Sequence, residues 1–289
     1  MFPEPKYQPS LSIASLNSGS NGNCYYIANE QEAVLIDAGI SCREIELRMT
    51  NLGLSMERVK ALFVSHEHID HIRGVSVLAK KFALPVYISA PTLRHSGIRL
   101  AAGQHLTFSN HVPVHIGELA VIPFSKEHDA VDPYSFVVEW RGVKAGVMTD
   151  IGIACRQVVH YFKQCHACFL ESNYDDQMLE EGGYPARLKK RIRGGKGHLS
   201  NAQALDLFIK HRPSFMSHLL LSHLSKNNNH PELVHSLFEQ HADDTQIILA
   251  SRDRETAVFS VTDTTQENSP LITYEAIRKN SGVQMSLFS

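Results

Sequence analysis

Apolar and β-branched residues open the chain in short runs, at positions 11–16, 24–27 and 33–37. They are parted by Asn17-Ser18-Gly19-Ser20-Asn21-Gly22-Asn23 and by Asn29-Glu30. Short runs bounded by Gly, Asn and Ser predict strands with tight connections. The period then changes: Ile45, Met49 and Leu52 recur at helical spacing and Gly53 follows, which predicts a helix over 42–52. A buried strand over 61–65 runs into a polar histidine cluster, and the pattern continues with a helix over 75–82 and an extended piece at 86–89. Residues 111–124 alternate about a turn at Gly117, and 136–140 with 144–149 flank Arg141-Gly142-Val143 as a hairpin. From residue 158 onward strands (167–171, 215–221, 246–250) alternate with a basic segment at 187–196, a helix over 201–211 and a helix starting near Pro231. Sheets with helices outside them predict one α/β domain over 1–276, with a polar tail at 277–289.

Composition narrows the class. The 289 residues are 43% hydrophobic and 20% charged, ordinary for a globular chain. No apolar run approaches the roughly 20 residues that span a bilayer, and Met1 to Pro9 holds three prolines without an apolar block, so neither membrane insertion nor secretion is expected. Twenty-eight basic against thirty acidic residues give a net charge of −2, which excludes a strongly basic nucleic-acid binder and confines any polyanion site to a local patch. Five scattered cysteines do not form a secreted disulfide framework, and a reducing cytoplasm is the expected location. Seventeen histidines invite a search for metal-ligand spacing.

That search ends at His66-Glu67-His68-Ile69-Asp70-His71, directly after the strand at 61–65. Four ligand-type side chains in six residues, where a rigid strand gives way, can divide between two metal ions. The motif His-x-His-x-Asp-His after a hydrophobic strand resembles the signature of the metallo-β-lactamase superfamily. Further markers follow in order: Asp37 closing Val34-Leu35-Ile36-Asp37, His128 in Lys126-Glu127-His128-Asp129, Asp150 ending Gly146-Val147-Met148-Thr149-Asp150, and His223 in Leu221-Ser222-His223-Leu224-Ser225. The resemblance covers about residues 11–261 and implies an αββα sandwich with the site at one edge. It implies that His66, His68 and His128 hold one ion, that Asp70, His71 and His223 hold the other, and that Asp150 is shared, with Asp37 behind an imidazole. Imidazoles and carboxylates without thiolate suit two divalent ions, zinc, manganese or iron.

The second half bears on the substrate. Arg187, Lys189, Lys190, Arg191, Arg193 and Lys196 lie just ahead of Gly197-His198-Leu199-Ser200, with no acidic residue between Gly182 and Leu205. A basic block on a slightly acidic chain points to a phosphate-bearing substrate; its other reading is a solvated helix face. The paired segments around His198 and His223 resemble the phosphodiesterase branch of the superfamily, which includes tRNA 3′-processing nucleases. This resemblance implies a dyad in which Glu171 orients His198 as the proton donor, beside Asp70 at the metals. A structural salt bridge is the other reading of Glu171. The overall resemblance is to the YycJ/WalJ group of bacterial 5′ to 3′ exonucleases on double-stranded DNA, through Ser18 to Asn23, Glu171-Ser172-Asn173, Tyr184-Pro185, Gly197 to Asn201 and Leu224 to Asn229.

Ser20, Asn21, Asn173 and Lys226 are the further candidate substrate contacts, although the glycine-rich loop also reads as an ordinary turn. An RNA-processing or cyclic-phosphate phosphodiesterase, or a thioester or lactam hydrolase, shares the same scaffold. Cys165-His166-Ala167-Cys168 lacks a second ligand pair at matching distance and reads as core. Gln284-Met285-Ser286-Leu287-Phe288 resembles the short peptide by which bacterial replication and repair enzymes dock onto the sliding DNA clamp, with Gln284, Leu287 and Phe288 as contacts; tucking back onto the domain is the other reading.

Overall fold

The computed structural model describes residues 8–263, and within them fourteen strands make two seven-stranded sheets. In the first, β1 (Ser10–Asn17), β2 (Cys24–Ala28), β3 (Ala33–Ile36), β4 (Val59–Phe63), β5 (Val86–Tyr87) and β6 (His105–Leu106) lie side by side in chain order. The second repeats this arrangement with β7 (Val114–Ile116), β8 (Leu119–Ser125), β9 (Tyr134–Trp140), β10 (Val143–Met148), β11 (Ala167–Glu171), β12 (His218–Ser222) and β13 (Gln246–Leu249). The chain then returns through β14 (Phe259–Thr262) to pair antiparallel with β1.

Each sheet switches direction partway. Strands β1 to β3 and β7 to β10 are antiparallel, while β3 to β6 and β10 to β13 are parallel. Antiparallel neighbours are joined by tight turns. Between β9 and β10, Arg141 and Gly142 both take positive φ (48° and 89°), the geometry of a two-residue hairpin. Parallel neighbours require crossovers, most of them helical, and these cover the outer faces.

Most strands are therefore buried on both sides. Tyr25 and Ile27 of β2 point between the sheets, whereas Tyr26 and Ala28 point outward under helices. Between the sheets, Phe63 packs edge-on against Phe136 (5.6 Å between centroids) and Tyr25 tilts against Phe169 (4.8 Å). Burying a side chain of this size stabilises the fold by roughly 1.5–3 kcal/mol. Helices Cys42–Asn51 and Val75–Phe82 cover the first sheet through Ile45, Met49 and Leu78. Helices Arg156–Phe162, Asn201–His211 and Pro231–Glu239 cover the second through Val158, Phe208 and Phe238. The αββα sandwich is thus observed.

Several boundaries differ from the sequence reading. The strand at 61–65 starts earlier and ends at Phe63, and the strand at 215–221 starts only at His218. Asp70 and His71 lie on a short helix, Ile69–Ile72, and the basic segment is helix Ala186–Arg193. Strand β14 and helices Ala90–Ser96 and Asp176–Glu181 have no clear apolar period, because tertiary pairing defines them. Cys165 and Cys168 are buried in the core beneath the helices, and none of the five cysteines is bridged. Among the described residues no helix is long and apolar enough to cross a membrane. The expected domain end at 276 and the tail carrying Gln284, Leu287 and Phe288 lie outside the described residues.

Candidate metal centre

The candidate ligands come from carboxyl ends of strands in both sheets. Asp37 follows β3, His66 to His71 follow β4, His128 follows β8, Asp150 follows β10, and His223 follows β12. Asp37, Asp150 and His223 each take left-handed backbone, with φ of 61°, 54° and 57°. Such a residue costs about 1–2 kcal/mol unless its surroundings hold it, and here it bends the chain as the strand ends. Close backbone approach also shapes the edge: a Cβ on Gly39 would stand 1.6 Å from the Asp70 carbonyl oxygen, so only glycine fits.

Two clusters converge. His66 Nε2 and His128 Nε2 stand 3.1 and 3.3 Å from His68 Nδ1. Asp70 Oδ2 lies 3.6 Å from His71 Nε2 and 3.5 Å from His223 Nε2. Asp150 sits between them, with Oδ2 at 3.1 Å from His71 Nε2 and Oδ1 at 3.8 Å from His128 Nε2. The side chains of each ion site implied by the resemblance thus lie together, and His66, His71 and Asp150 form a further group across them. Among the described residues, buried Asp150 Oδ2 and His223 Nε2 make no well-aligned hydrogen bond. Groups of three or four imidazole and carboxylate donors, each within 4.8 Å of the others in its group, fit a pair of divalent ions.

A buried carboxylate fixes the imidazoles. Asp37 accepts from Ser65 N and Ser65 Oγ (2.8 Å each) and from His71 Nδ1 (2.7 Å). With its proton on Asp37, Ser65 Oγ accepts from His66 Nδ1 at 2.8 Å. One carboxylate thereby sets the tautomer of His71 directly and of His66 through Ser65, leaving both Nε2 atoms inward. His128 Nδ1 donates to the Gly197 carbonyl at 3.0 Å with the same result.

Glu171, fully buried, is not free to act as a ligand. Its Oε1 accepts from His198 Nδ1 (2.7 Å) and His223 Nδ1 (3.0 Å), and its Oε2 from the backbone N–H of Ile151 (2.7 Å) and Leu199 (3.1 Å). His198 is also held from outside. Its N–H donates to Ile192 O at 2.9 Å, and Ser200, two residues on, caps helix Asn201–His211 in a reciprocal box with Gln203.

Charge in the pocket is strongly coupled. Burial keeps His66 neutral, aided by the neighbouring His71 and Lys126, and burial also lowers His128 to about 4. Burial works against a charge on His71, yet Asp150, Asp37 and Asp70 outweigh it and hold the imidazolium to about 10. His223 is pushed up in the same way by Asp150, Asp70 and Glu171. Burial opposes ionisation of Glu171, but His198 and His223 bring it down to about 2.

Substrate candidates divide. Asn21 spends its side-chain amide on the Arg252 carbonyl (2.8 Å), and buried Asn173 spends its own on the His223 carbonyl (2.7 Å), so both position loops instead of facing a substrate. Ser20 and Lys226 are exposed. On the basic helix, Arg191 pairs with Asp129, Arg193 pairs with Glu180, and Lys189 donates to the Glu180 carbonyl. Arg187, Lys190 and Lys196 are exposed and form no ion pair among the described residues.

Positioning residues that the sequence reading passed over include Ser65, Lys126, Ser18 and Asn23. Lys126 is buried and donates to the Thr149 carbonyl at 2.6 Å, beneath Asp150. Ser18 Oγ accepts from His223 N at 2.8 Å, and Asn23 Nδ2 lies 3.0 Å from His71 Nε2 and 3.3 Å from Asp70 Oδ2. The motif Ser18 to Asn23 was the available signal, but its contacting members are the first and last, not Ser20 and Asn21.

The sequence profile of the metallo-β-lactamase superfamily matches residues 18–149. The chain is 33% identical over 227 residues to exodeoxyribonuclease YycJ of Bacillus anthracis, covering 78% of this chain and 86% of that one. It is 31% identical over 227 residues to exodeoxyribonuclease WalJ of Streptococcus pneumoniae, covering 76% and 84%. The crystal structure of the metallo-β-lactamase fold protein YhfI from Bacillus subtilis shares the fold, with a TM-score of 0.65 at 16% identity over 88% of this chain and 100% of that one.

Proposed function

We propose, for a chain that belongs to the metallo-β-lactamase superfamily and is a metal-dependent hydrolase, that it is a dinuclear phosphodiesterase acting as a 5′ to 3′ exonuclease on duplex DNA. The observation that carries a phosphodiester over a lactam or thioester is the join between the basic helix and the dyad. The last turn of helix Ala186–Arg193 binds the backbone of His198, whose Nδ1 sits 2.7 Å from Glu171. A polyanion held along that helix is delivered to a proton donor. The names of the YycJ and WalJ relatives support a DNA substrate.

In this reading His66, His68 and His128 hold one ion, Asp70, His71 and His223 the other, and Asp150 both. Two bound divalent ions would polarise the phosphoryl oxygen and stabilise the attacking and leaving oxygens; zinc, manganese and iron all suit the donors. Asp37 and Ser65 keep the imidazole Nε2 atoms aimed inward. Glu171 stays ionised and accepts a hydrogen bond from His198 Nδ1–H, which leaves the Nε2 proton of the imidazolium to be donated to the departing oxygen. Asp70, partly exposed, would accept a proton from the attacking water. Arg187, Lys190 and Lys196 would hold backbone phosphates. Five unbridged cysteines agree with a cytoplasmic setting, and Gln284, Leu287 and Phe288 support docking on the sliding clamp.

The test is incubation of metal-reconstituted protein with end-labelled linear duplex DNA, RNA, a cyclic nucleotide, nitrocefin and a glutathione thioester. Mononucleotide release from a 5′-labelled duplex, ahead of 3′-label, is expected. Turnover of nitrocefin or the thioester with intact DNA would overturn the reading, and preference for RNA would move the substrate class.

A further inference from the structure

A cavity of about 790 Å³ opens beside the candidate centre, over the carboxyl ends of β12 and β13. Ser18, whose hydroxyl holds the His223 N–H, lines it, as do Leu224 and Ser225, which directly follow His223. The basic helix is tied instead to Asp129 and His198, on the loops beyond β8 and β11. In the sheet order the cavity thus lies over β12 and β13, and the basic helix is tied to the loops of β8 and β11.

The cavity has its own charge. Lys226, Arg252 and Arg254 line it, against Asp253 and Glu255. Glu255 is engaged elsewhere, accepting from Asn51 Nδ2 at 3.0 Å and lying 4.0 Å from Arg48 Nε, while Asp253 is exposed. The guanidinium of Arg252 is the notable group: its Nη1 is buried and has no hydrogen-bond partner among the described residues. A buried cationic N–H without an acceptor is costly, and a turn of the half-buried Arg252 side chain, which lines the cavity, would bring it to a phosphate oxygen there. The Arg252 backbone is fixed by Asn21, so the side chain is presented from a set position. Leu224, Pro231 and Phe259 supply an apolar wall.

We propose that this cavity receives the terminal nucleotide of the strand being hydrolysed, its phosphate on Arg252 and Lys226 and its base against Leu224, Pro231 and Phe259. The volume lies within the range of about 300–1,000 Å³ that encloses a single small ligand. It equals a cube about 9 Å on a side, the scale of a single nucleotide. Aromatic and apolar faces accept any base. The proposal rests on the nuclease reading and deepens it, because a cavity beside the His223 loop that takes one nucleotide would favour chain ends over internal bonds.

The experiment titrates the metal-loaded full chain with 5′-dAMP, deoxyadenosine and inorganic phosphate by calorimetry, and compares linear with covalently closed duplex DNA. Expected results are binding of 5′-dAMP, at least about tenfold weaker binding of deoxyadenosine and of phosphate alone, and degradation of linear DNA only. Arg252→Gln and, separately, Lys226→Gln should weaken 5′-dAMP binding at least about tenfold and twofold respectively, with metal content unchanged by elemental analysis. If both variants bind 5′-dAMP like the parent chain while linear DNA is still degraded, the cavity assignment is overturned and the nuclease reading stands. Arg252-dependent nucleotide binding with intact linear DNA has the opposite consequence: the nuclease reading falls, and the terminal-nucleotide role with it. Phosphate binding as tight as 5′-dAMP, or cleavage of closed circles at the linear rate, also overturns the proposal.

Discussion

Glu171 Oε1 lies 2.7 Å from His198 Nδ1 and 3.0 Å from His223 Nδ1, so one carboxylate oxygen couples the candidate proton donor to a candidate metal ligand. The other oxygen binds Ile151 N–H and Leu199 N–H, next to Asp150 and His198. Three loops at the carboxyl edge of the second sheet are thus registered on one side chain.

His198→Ala should keep both metals while turnover falls about 10²- to 10⁴-fold, the usual worth of a general acid. Glu171→Gln cannot accept four N–H groups and should lose stability as well as turnover. Its parent carboxylate titrates near 2 in the fold against an ordinary 4.5. The contribution is present above 4.5 and vanishes as pH falls through about 2, so the stability gap between parent and Glu171→Gln should narrow in acid. Denaturant titrations from pH 7 to pH 3 check this; a constant gap would count against the ionised carboxylate as the source.

Asp150→Asn keeps the shape and the tolerance of asparagine for left-handed backbone while removing charge. At least one metal equivalent and essentially all turnover should be lost. Full metal content by elemental analysis with unchanged activity would show that Asp150 does not serve both clusters.

Metal uptake should release protons. In the metal-free fold the His71 imidazolium persists to about 10, held by Asp150, Asp37 and Asp70, and His223 is raised as well. This raised value stabilises the metal-free protein fully below 6.5 and is lost as pH rises through about 10. A metal ion needs the unprotonated nitrogen, so near pH 7.5 loading expels at least about one proton and affinity climbs with pH. Calorimetry in buffers of different ionisation enthalpy measures the release; a buffer-independent heat would contradict it.

Replacing Arg187, Lys190 and Lys196 with glutamine should weaken duplex binding and flatten the plot of log affinity against log salt by up to about three, near 0.9 per phosphate contact. Arg191→Gln should act differently, because its partner Asp129 adjoins His128. An unchanged slope for the triple variant would leave the helix a solvated face.

The strands at 24–27 and 33–37 and the helices at 75–82 and 201–211 were legible because their apolar spacing matches one period and one buried face. The divided ligand set was legible for a chemical reason: six candidate ligands other than Asp150 fall in the two clusters implied by the resemblance, and His-x-His-x-Asp-His concentrates four of them in six positions.

Other features needed the folded chain. Strand β14 is defined by its register with β1, from Ser10 opposite Thr262 to Ile13 opposite Phe259, and no local pattern announces a partner some 250 residues away. Ser65 reads as an ordinary strand-end serine until Asp37, 28 residues earlier, is brought to 2.8 Å. Asn173 and Lys189 read as substrate contacts, but the fold turns them onto a carbonyl of His223 and of Glu180. The sequence by itself determined which side chains have the chemistry to bind metal and where strands would carry them, since ligand type and apolar period are local properties. Only the tertiary structure decided which polar groups remain free to act, because a hydrogen bond across the fold depends on distance in space that residue spacing does not encode.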